Sequence, residues 1–168
     1  GATRTNLLAL QRTTDLISRT QERLSTGLKV NSAIDDAISF FQARSLSDRA
    51  GDLSVLKNSI DQGVSSVETA VNGIEAISDI VEQMKGIALS AKSDADTTNR
   101  SKSAVQFNDL RAQLDNLAND ASYKGTNLIK GSPANLKVTF SEDGSSTLTI
   151  SGVASDASGL SLAAAAGN

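Results

Sequence analysis

The sequence predicts a mainly α chain, an elongated antiparallel helical rod or coiled-coil-like bundle with a β-hairpin near its C-terminal end. Three observations carry that expectation. Apolar and small residues recur every seven positions through the middle of the chain. Aromatics make up only 3% of the 168 residues and there is no Trp. After residue 131 the apolar period drops from seven to two. Rounded cores draw on large aromatic anchors, whereas aliphatic and small side chains suit close helix–helix seams.

Residues 6 to 28 form the first expected helix. Leu7, Leu10, Ile17, Leu24 and Leu28 make a heptad stripe, which Thr14 and Gln21 interrupt. Helix stability in water comes mainly from packing an apolar face, so this segment needs a partner that the rest of the sequence does not supply. A break follows within RLSTGLKVNSAIDDAISFFQARSL. Gly27 and the cap- and turn-formers Ser25, Thr26, Asn31 and Ser32 interrupt the helical spacing, which returns at Ile34, Ile38 and Phe41. The break is either a catalytic loop or a joint between two long helices. Asp35 and Asp36 are adjacent, so on a helix they diverge by about 100° and do not converge across a cleft as paired catalytic carboxylates must. They fit the first turn of the next helix, with Asn31 or Ser32 as cap.

The second helix is expected from about residue 34 to 93. Leu53, Ile60, Val67, Ile74, Val81 and Ala88 fall at intervals of seven, and Leu56, Gly63, Ala70, Ile77, Met84 and Ala91 follow each by three. This is a coiled-coil seam. Val64 and Val71 widen it, which suggests more than one neighbour there. Such a helix would run about 90 Å at its usual rise. Gly63, Gly73 and Gly86 each cost about 1 kcal/mol against Ala in a helix interior, and close approach of another backbone would offset that. Residues 93 to 99, SDADTTN, read as a short link to an antiparallel helix over about 100–122. Its seam is Phe107, Leu110, Leu114, Leu117 and Ala121, and Tyr123-Lys124-Gly125 reads as a glycine stop.

Beyond Gly131-Ser132-Pro133, Leu136, Val138 and Phe140 alternate with polar residues, as do Leu148 and Ile150. Asp143-Gly144 lies in the loop between them, the signal of a β-hairpin. The last stretch, GVASDASGLSLAAAAGN, is low in complexity, and no regular structure is read into it. Three divisions follow: 1–32, an N-terminal helix and joint; 33–130, a helical rod; and 131–168, the hairpin and small-residue tail.

Little chemistry fits this chain. A net charge of −3 with interspersed signs gives no footprint for nucleic acid. Without Cys there is no thiol nucleophile or zinc-thiolate site, and without His the commonest general base and transition-metal ligand are missing. No apolar run reaches the roughly 20 residues of a membrane span, so no membrane insertion is expected. The N-terminus lacks the pattern of a Sec signal peptide. Glycines are dispersed rather than gathered in a phosphate-binding loop, and Asp94, Asp96 and Asn99 lack the glycine and terminal glutamate of a calcium loop. No catalytic residue, cofactor or metal site is assigned.

The run Gln21 to Asp36, QERLSTGLKVNSAIDD, closely resembles the "QRLSSGxRINSAxDDA" signature of bacterial flagellins. The stretch from Thr5 to Leu10, TNLLAL, is similar to the family's "TNxxALxxQ", and YKGTNLI from Tyr123 is similar to "FNGxxLL". The resemblance covers about residues 3 to 130 and looks most like flagellins of alphaproteobacteria. It implies an extracellular subunit of the flagellar filament, exported unfolded through the flagellum's own type III channel and working for motility by self-assembly. Arg23, Leu24, Ser25, Thr26, Gly27, Lys29, Asn31, Ser32, Asp35 and Asp36 would then be the assembly and joint motif, and the break a joint. The implied partners are other flagellin subunits, an export chaperone, a filament cap, and the C-terminal helices with which flagellins pair their N-terminal ones. Those helices are absent from this sequence, which is therefore expected to be a fragment or a split chain. The family's innate-receptor epitope, "QRxREL", falls at Gln83-Met84-Lys85-Gly86-Ile87. Gln83 stands for an arginine and Gly86 for a glutamate, which removes charge-assisted contacts and weakens sensing by that toll-like receptor. Two rival readings remain. One is a hook–filament junction protein of the same superfamily. The other is a coiled-coil signalling module such as a chemoreceptor hairpin, which would keep its heptads through the turn and lack a β-hairpin.

Overall fold

The computed structural model describes residues 1–30 and 36–166. The chain divides into two compact units, Gly1–Leu53 and Ser54–Asn168. Its elements are α1 (Ala2–Thr26), α2 (Ala37–Ser93), α3 (Thr97–Asp120), β1 (Ser122–Tyr123), β2 (Thr126–Asn127), β3 (Leu136–Thr139) and β4 (Thr147–Ile150). The fold is mainly α, with long helices and small antiparallel hairpins toward the C-terminus.

In the first unit, α1 starts earlier than its apolar stripe, because the Gly1 carbonyl already accepts from the amides of Arg4 and Thr5. It stops at Gly27, which takes the left-handed conformation (φ 68°, ψ 8°) and donates its N–H to the Arg23 carbonyl. That is the αL cap, a conformation that costs a glycine little. No residue of α1 is buried. The first turns of α2 belong to this unit as well, and Ile38, Phe41 and Leu46 there are exposed. Asn31, Ser32 and Asp35 lie outside the described residues.

In the second unit α2 and α3 are antiparallel neighbours joined by three residues, Asp94 to Asp96. The Asp96 carboxylate caps α3 by accepting from the amides of Thr98 and Asn99. Asp94 accepts from the Asp96 amide, and the Arg100 guanidinium donates to the carbonyls of Asp94 and Ala95. The link is thus held by its own polar side chains. Ala70, Ile77 and Met84 of α2 meet Leu114 and Ala118 of α3, together with Leu128, Ile129 and Ala157, in one apolar core.

The end of α3 corrects the expected glycine stop. The helix finishes at Asp120, and Gly125 belongs to the turn that pairs β1 with β2. Lys124 and Gly125 both have positive φ, 47° and 83°, as a two-residue hairpin turn of the primed kind requires. The sequence signal was real but marked a hairpin rather than a helix end. β3 and β4 form the one hairpin the sequence predicts, the second along the chain, with Leu136 opposite Ile150 and Val138 opposite Leu148. Val138 is buried, whereas Phe140, just past β3, and Leu148 are exposed.

The tail has no regular structure, yet it is docked. The Val153 and Ser155 amides donate to the carbonyls of Leu128 and Ile129. Further on, the Ala157 amide donates to Asp115, the Arg111 guanidinium donates to the Leu162 carbonyl, and Asn108 exchanges two bonds with the backbone of Ala165. The strand of tail therefore runs antiparallel to α3.

Candidate assembly surfaces

The surfaces of this chain are built by helical spacing. Of the seam residues named from the sequence, Ile77, Met84 and Leu114 are buried. Leu56, Ile60, Val67, Val81, Phe107, Leu110 and Leu117 are half-buried, and Leu53 and Ile74 are exposed, Ile74 at 46%. The buried stripe of α2 runs through Gly63, Ser66, Ala70, Gly73, Ile77 and Met84. Its axis lies between the series containing Gly63 and Ile77 and the one containing Ser66 and Gly73.

Space explains the choice. A Cβ added at Gly73 would come within 2.7 Å of the Ile129 side chain and 2.9 Å of the Ala121 Cβ, and one at Gly63 would reach Val138 at 2.7 Å. The loop after α3 and the hairpin lie on α2 where α2 has least side chain. At Gly86, by contrast, an added Cβ meets open space, so close approach does not account for that glycine. The signal was present in the sequence: Ser66, Gly73, Ile80 and Ile87 also repeat at seven. Ser66 and Gly73 carry less apolar surface than their neighbours Val67 and Ile74, so the series stands out less in the sequence. One consequence is that Val64, Val71 and Ile74 form an uncovered apolar strip on α2.

The residues of the receptor-like stretch sit near the far end of α2. Gln83, Lys85 and Gly86 are exposed, Lys85 is 3.6 Å from Glu82, and Ile87 is half-buried. Ile87 also lines a cavity of about 400 Å³ with Ala91, Ala104, Phe107 and Ala165.

On α1 the apolar side chains Leu7, Leu10, Leu16, Ile17 and Leu24 are all exposed, Leu24 at 85%. Of the joint motif, Arg23, Leu24, Ser25 and Thr26 form the last turn, Gly27 the cap, and Lys29 is exposed beyond it. Asp36 is not inside the first turn of α2 but caps it. Its carboxylate accepts from the Ser39 amide at 3.1 Å and the Ser39 hydroxyl at 2.6 Å. The side-chain bond from Ser39, then the backbone one, hold the Asp36 carboxyl below its ordinary value. A cap position offers it an unpaired N–H, where the first turn would offer only the helix dipole.

At the tip of the second hairpin, hydrogen bonds from Ser141 and then Ser145 hold the Asp143 carboxyl down at about 2. On α2, the bond to Asp61 raises the Lys57 ammonium above its ordinary value. Both are solvated surface pairs, not a reaction centre. Among the described residues no group of carboxylates is arranged to hold a metal ion, and no helix is long and apolar enough to cross a membrane.

Residues 2–134 match the family model of the bacterial flagellin N-terminal helical region. Flagellin FljM of Caulobacter vibrioides is 31% identical over 171 residues, covering 95% of this chain and 62% of that protein. The flagellin of Aquifex aeolicus is 31% identical over 85% of this chain and 28% of its own length, and flagellin A of Rhizobium meliloti 28% identical over 78% and 34%. The chain thus spans about three-fifths of the length of the Caulobacter flagellins it matches. With its signature run, its antiparallel helix pair and its match through residue 134, the chain belongs to the bacterial flagellin family.

Proposed function

We propose that this chain is part of a structural subunit of the flagellar filament, outside the cell, whose work is done by polymerisation through helical surfaces. The observation that carries the reading is α1, a 25-residue amphipathic helix that buries nothing. A helix with no packed face is marginal in water, so its stable state is an assembled one. The uncovered strip of Val64, Val71 and Ile74 on α2 supports the same reading. Both α1 and this strip suit the C-terminal helices of a full-length flagellin and the surfaces of neighbouring subunits. Gly27 and the Asp36 cap end one helix and begin the next, as a joint needs and a catalytic loop does not. The family is a structural one, and the carboxylates of Asp36 and Asp96 act as helix caps and that of Asp143 as a loop clamp.

A signalling hairpin would carry its seam through the turn. Here the link at Asp94 to Asp96 is capped and polar, and two β-hairpins follow α3. Export through the type III channel, a dedicated chaperone and a filament cap complete the proposed life of the subunit. Weak recognition by the toll-like receptor follows from the uncharged Gln83 and Gly86. A receptor reporter assay should show a response well below that of a flagellin carrying arginine and glutamate at those positions. The central experiment is seeding of the purified full-length protein with filament fragments. Electron microscopy should show long filaments, and a protein that stays monomeric under every seeding condition refutes the reading.

A further inference from the structure

The face of α2 opposite Val71 is polar where it meets the hairpins. Gln62 and Val71 are nine positions apart, about two and a half turns of an α-helix, and so lie on opposite sides of it. Ser59, Gln62 and Ser66 step along the polar side by three and four. With Tyr123 of β1, Lys124 of the turn, Thr126 of β2 and Lys137 of β3, they line a cavity of about 210 Å³. All of it lies within the second unit. The Ser66 hydroxyl already donates to the Gln62 carbonyl, at 2.9 Å. Among the described residues, the side chains of Ser59, Gln62, Thr126 and Lys137 hydrogen-bond to nothing in the chain, and no carboxylate lines the cavity. Lys124 and Lys137 therefore bring two ammonium groups to one concavity without a counter-charge, in a chain of net charge −3.

Lys124 is also held there at a cost. Its φ is 47°, and the first central position of a primed turn favours Asn, Asp or Gly over a long side chain. Its ammonium lies 5.8 Å from the centre of the Tyr123 ring, which is itself part of the cavity wall. A side chain kept where the backbone prefers another is a sign that its charge is used.

We propose that this cavity binds an anionic monosaccharide, a sugar acid or a sugar phosphate. Lys124 and Lys137 take the acid group through charge-assisted hydrogen bonds. The Gln62 amide and the Ser59 and Thr126 hydroxyls, each able to donate and accept, match the ring hydroxyls. Tyr123 and Leu136 supply the apolar wall for the carbon skeleton. The cavity is smaller than those that hold drug-sized ligands, which suits a single sugar. Because it faces away from the uncovered strip on α2, binding there does not depend on polymerisation.

The test is titration of the purified chain at low salt with glucuronate, glucose 6-phosphate, glucose and inorganic phosphate, read by amide NMR shifts and calorimetry. Both sugar anions should saturate, with shifts centred on Gln62, Lys124, Thr126 and Lys137. The tighter of the two names the source of the acid group. Glucose and phosphate each lack half of the chemistry and should bind at least about ten-fold more weakly. Lys124→Asn should melt at or above the wild type, because it relieves the turn. It should also bind the sugar anions about ten-fold more weakly, the weight of one charge-assisted hydrogen bond. Lys137→Gln, at an exposed strand position, should lose as much without a change in melting. No saturable shift at these residues overturns the proposal. Phosphate binding as tightly as the sugar anions overturns it, by leaving the hydroxyls and the amide no part. Glucose binding as tightly overturns it too, by leaving the lysines none. Unchanged affinity in either lysine variant has the same consequence.

Discussion

Asn127 is 3% exposed and spends its whole side chain on the backbone around it. Its Nδ2 donates to the carbonyls of Ala118 and Asn119, at 2.8 and 3.0 Å, and its Oδ1 accepts from the amides of Ile129 and Lys130, both at 2.9 Å. It closes the C-terminal turn of α3 and fixes the loop that places Ile129 over Gly73. Asn127→Ala leaves buried carbonyls and amides unpaired, at roughly 1–3 kcal/mol for such a loss, and urea titration should show at least that destabilisation. Asn127→Asp should be as damaging at neutral pH, since its oxygens face carbonyls. The glycines of α2 divide in the same way. Gly73→Ala should destabilise, because Ile129 and Ala121 leave no room. Gly86→Ala should stabilise by about 1 kcal/mol, a contrast that thermal melting can resolve. Acid sensitivity is also local. In the folded chain Asp36 is held below the ordinary carboxylate value of 3.8, and Asp143 is held at about 2. Each therefore contributes stability that is present above 3.8 and lost as pH falls through the lower folded value. NMR titration should place the Asp143 midpoint near 2, and Ser145→Ala should raise it.

Elements differ in how they are secured. α3 is held at both ends by side chains, by Asp96 at its start and by Asn127 at its finish. Asp96→Ala should weaken it by about 1 kcal/mol, the usual loss for a cap, seen as faster amide exchange at Thr98 and Asn99. The tail contributes through Ala157, which is fully buried, and through the bonds from Asn108, Arg111 and Asp115. Its sequence of small residues carries no periodic signal, and it forms no helix or strand. What orders it is polar partners already aligned on α3, which a reading confined to the tail does not contain.

At the scale of the whole molecule, the two units should respond differently to perturbation. The core is drawn from α2, α3 and the segments after them, all in the second unit. Protein lacking residues 1–30 should therefore keep most of its helix by circular dichroism and lose the ability to polymerise. In the intact monomer, amides of α1 should exchange far faster than those around Ala70, Ile77 and Leu114, because opening α1 exposes no buried apolar surface.

The amino-acid sequence by itself determined that α2 and α3 exist, that a short polar link makes them antiparallel, that a hairpin follows, and that α1 lacks a cover. Each of these depends on local periodicity, capping chemistry or turn residues, which short windows contain. Tertiary structure decided which of the heptad series on α2 faces inward, that Gly125 turns a hairpin instead of ending α3, that Asp36 is a cap, and that the tail docks. Several series on α2 were apolar or small enough to be buried. The selection fell to Ile129, Ala121 and Val138, residues 48 to 75 positions away from Gly73 and Gly63, whose fit against those glycines no local pattern encodes.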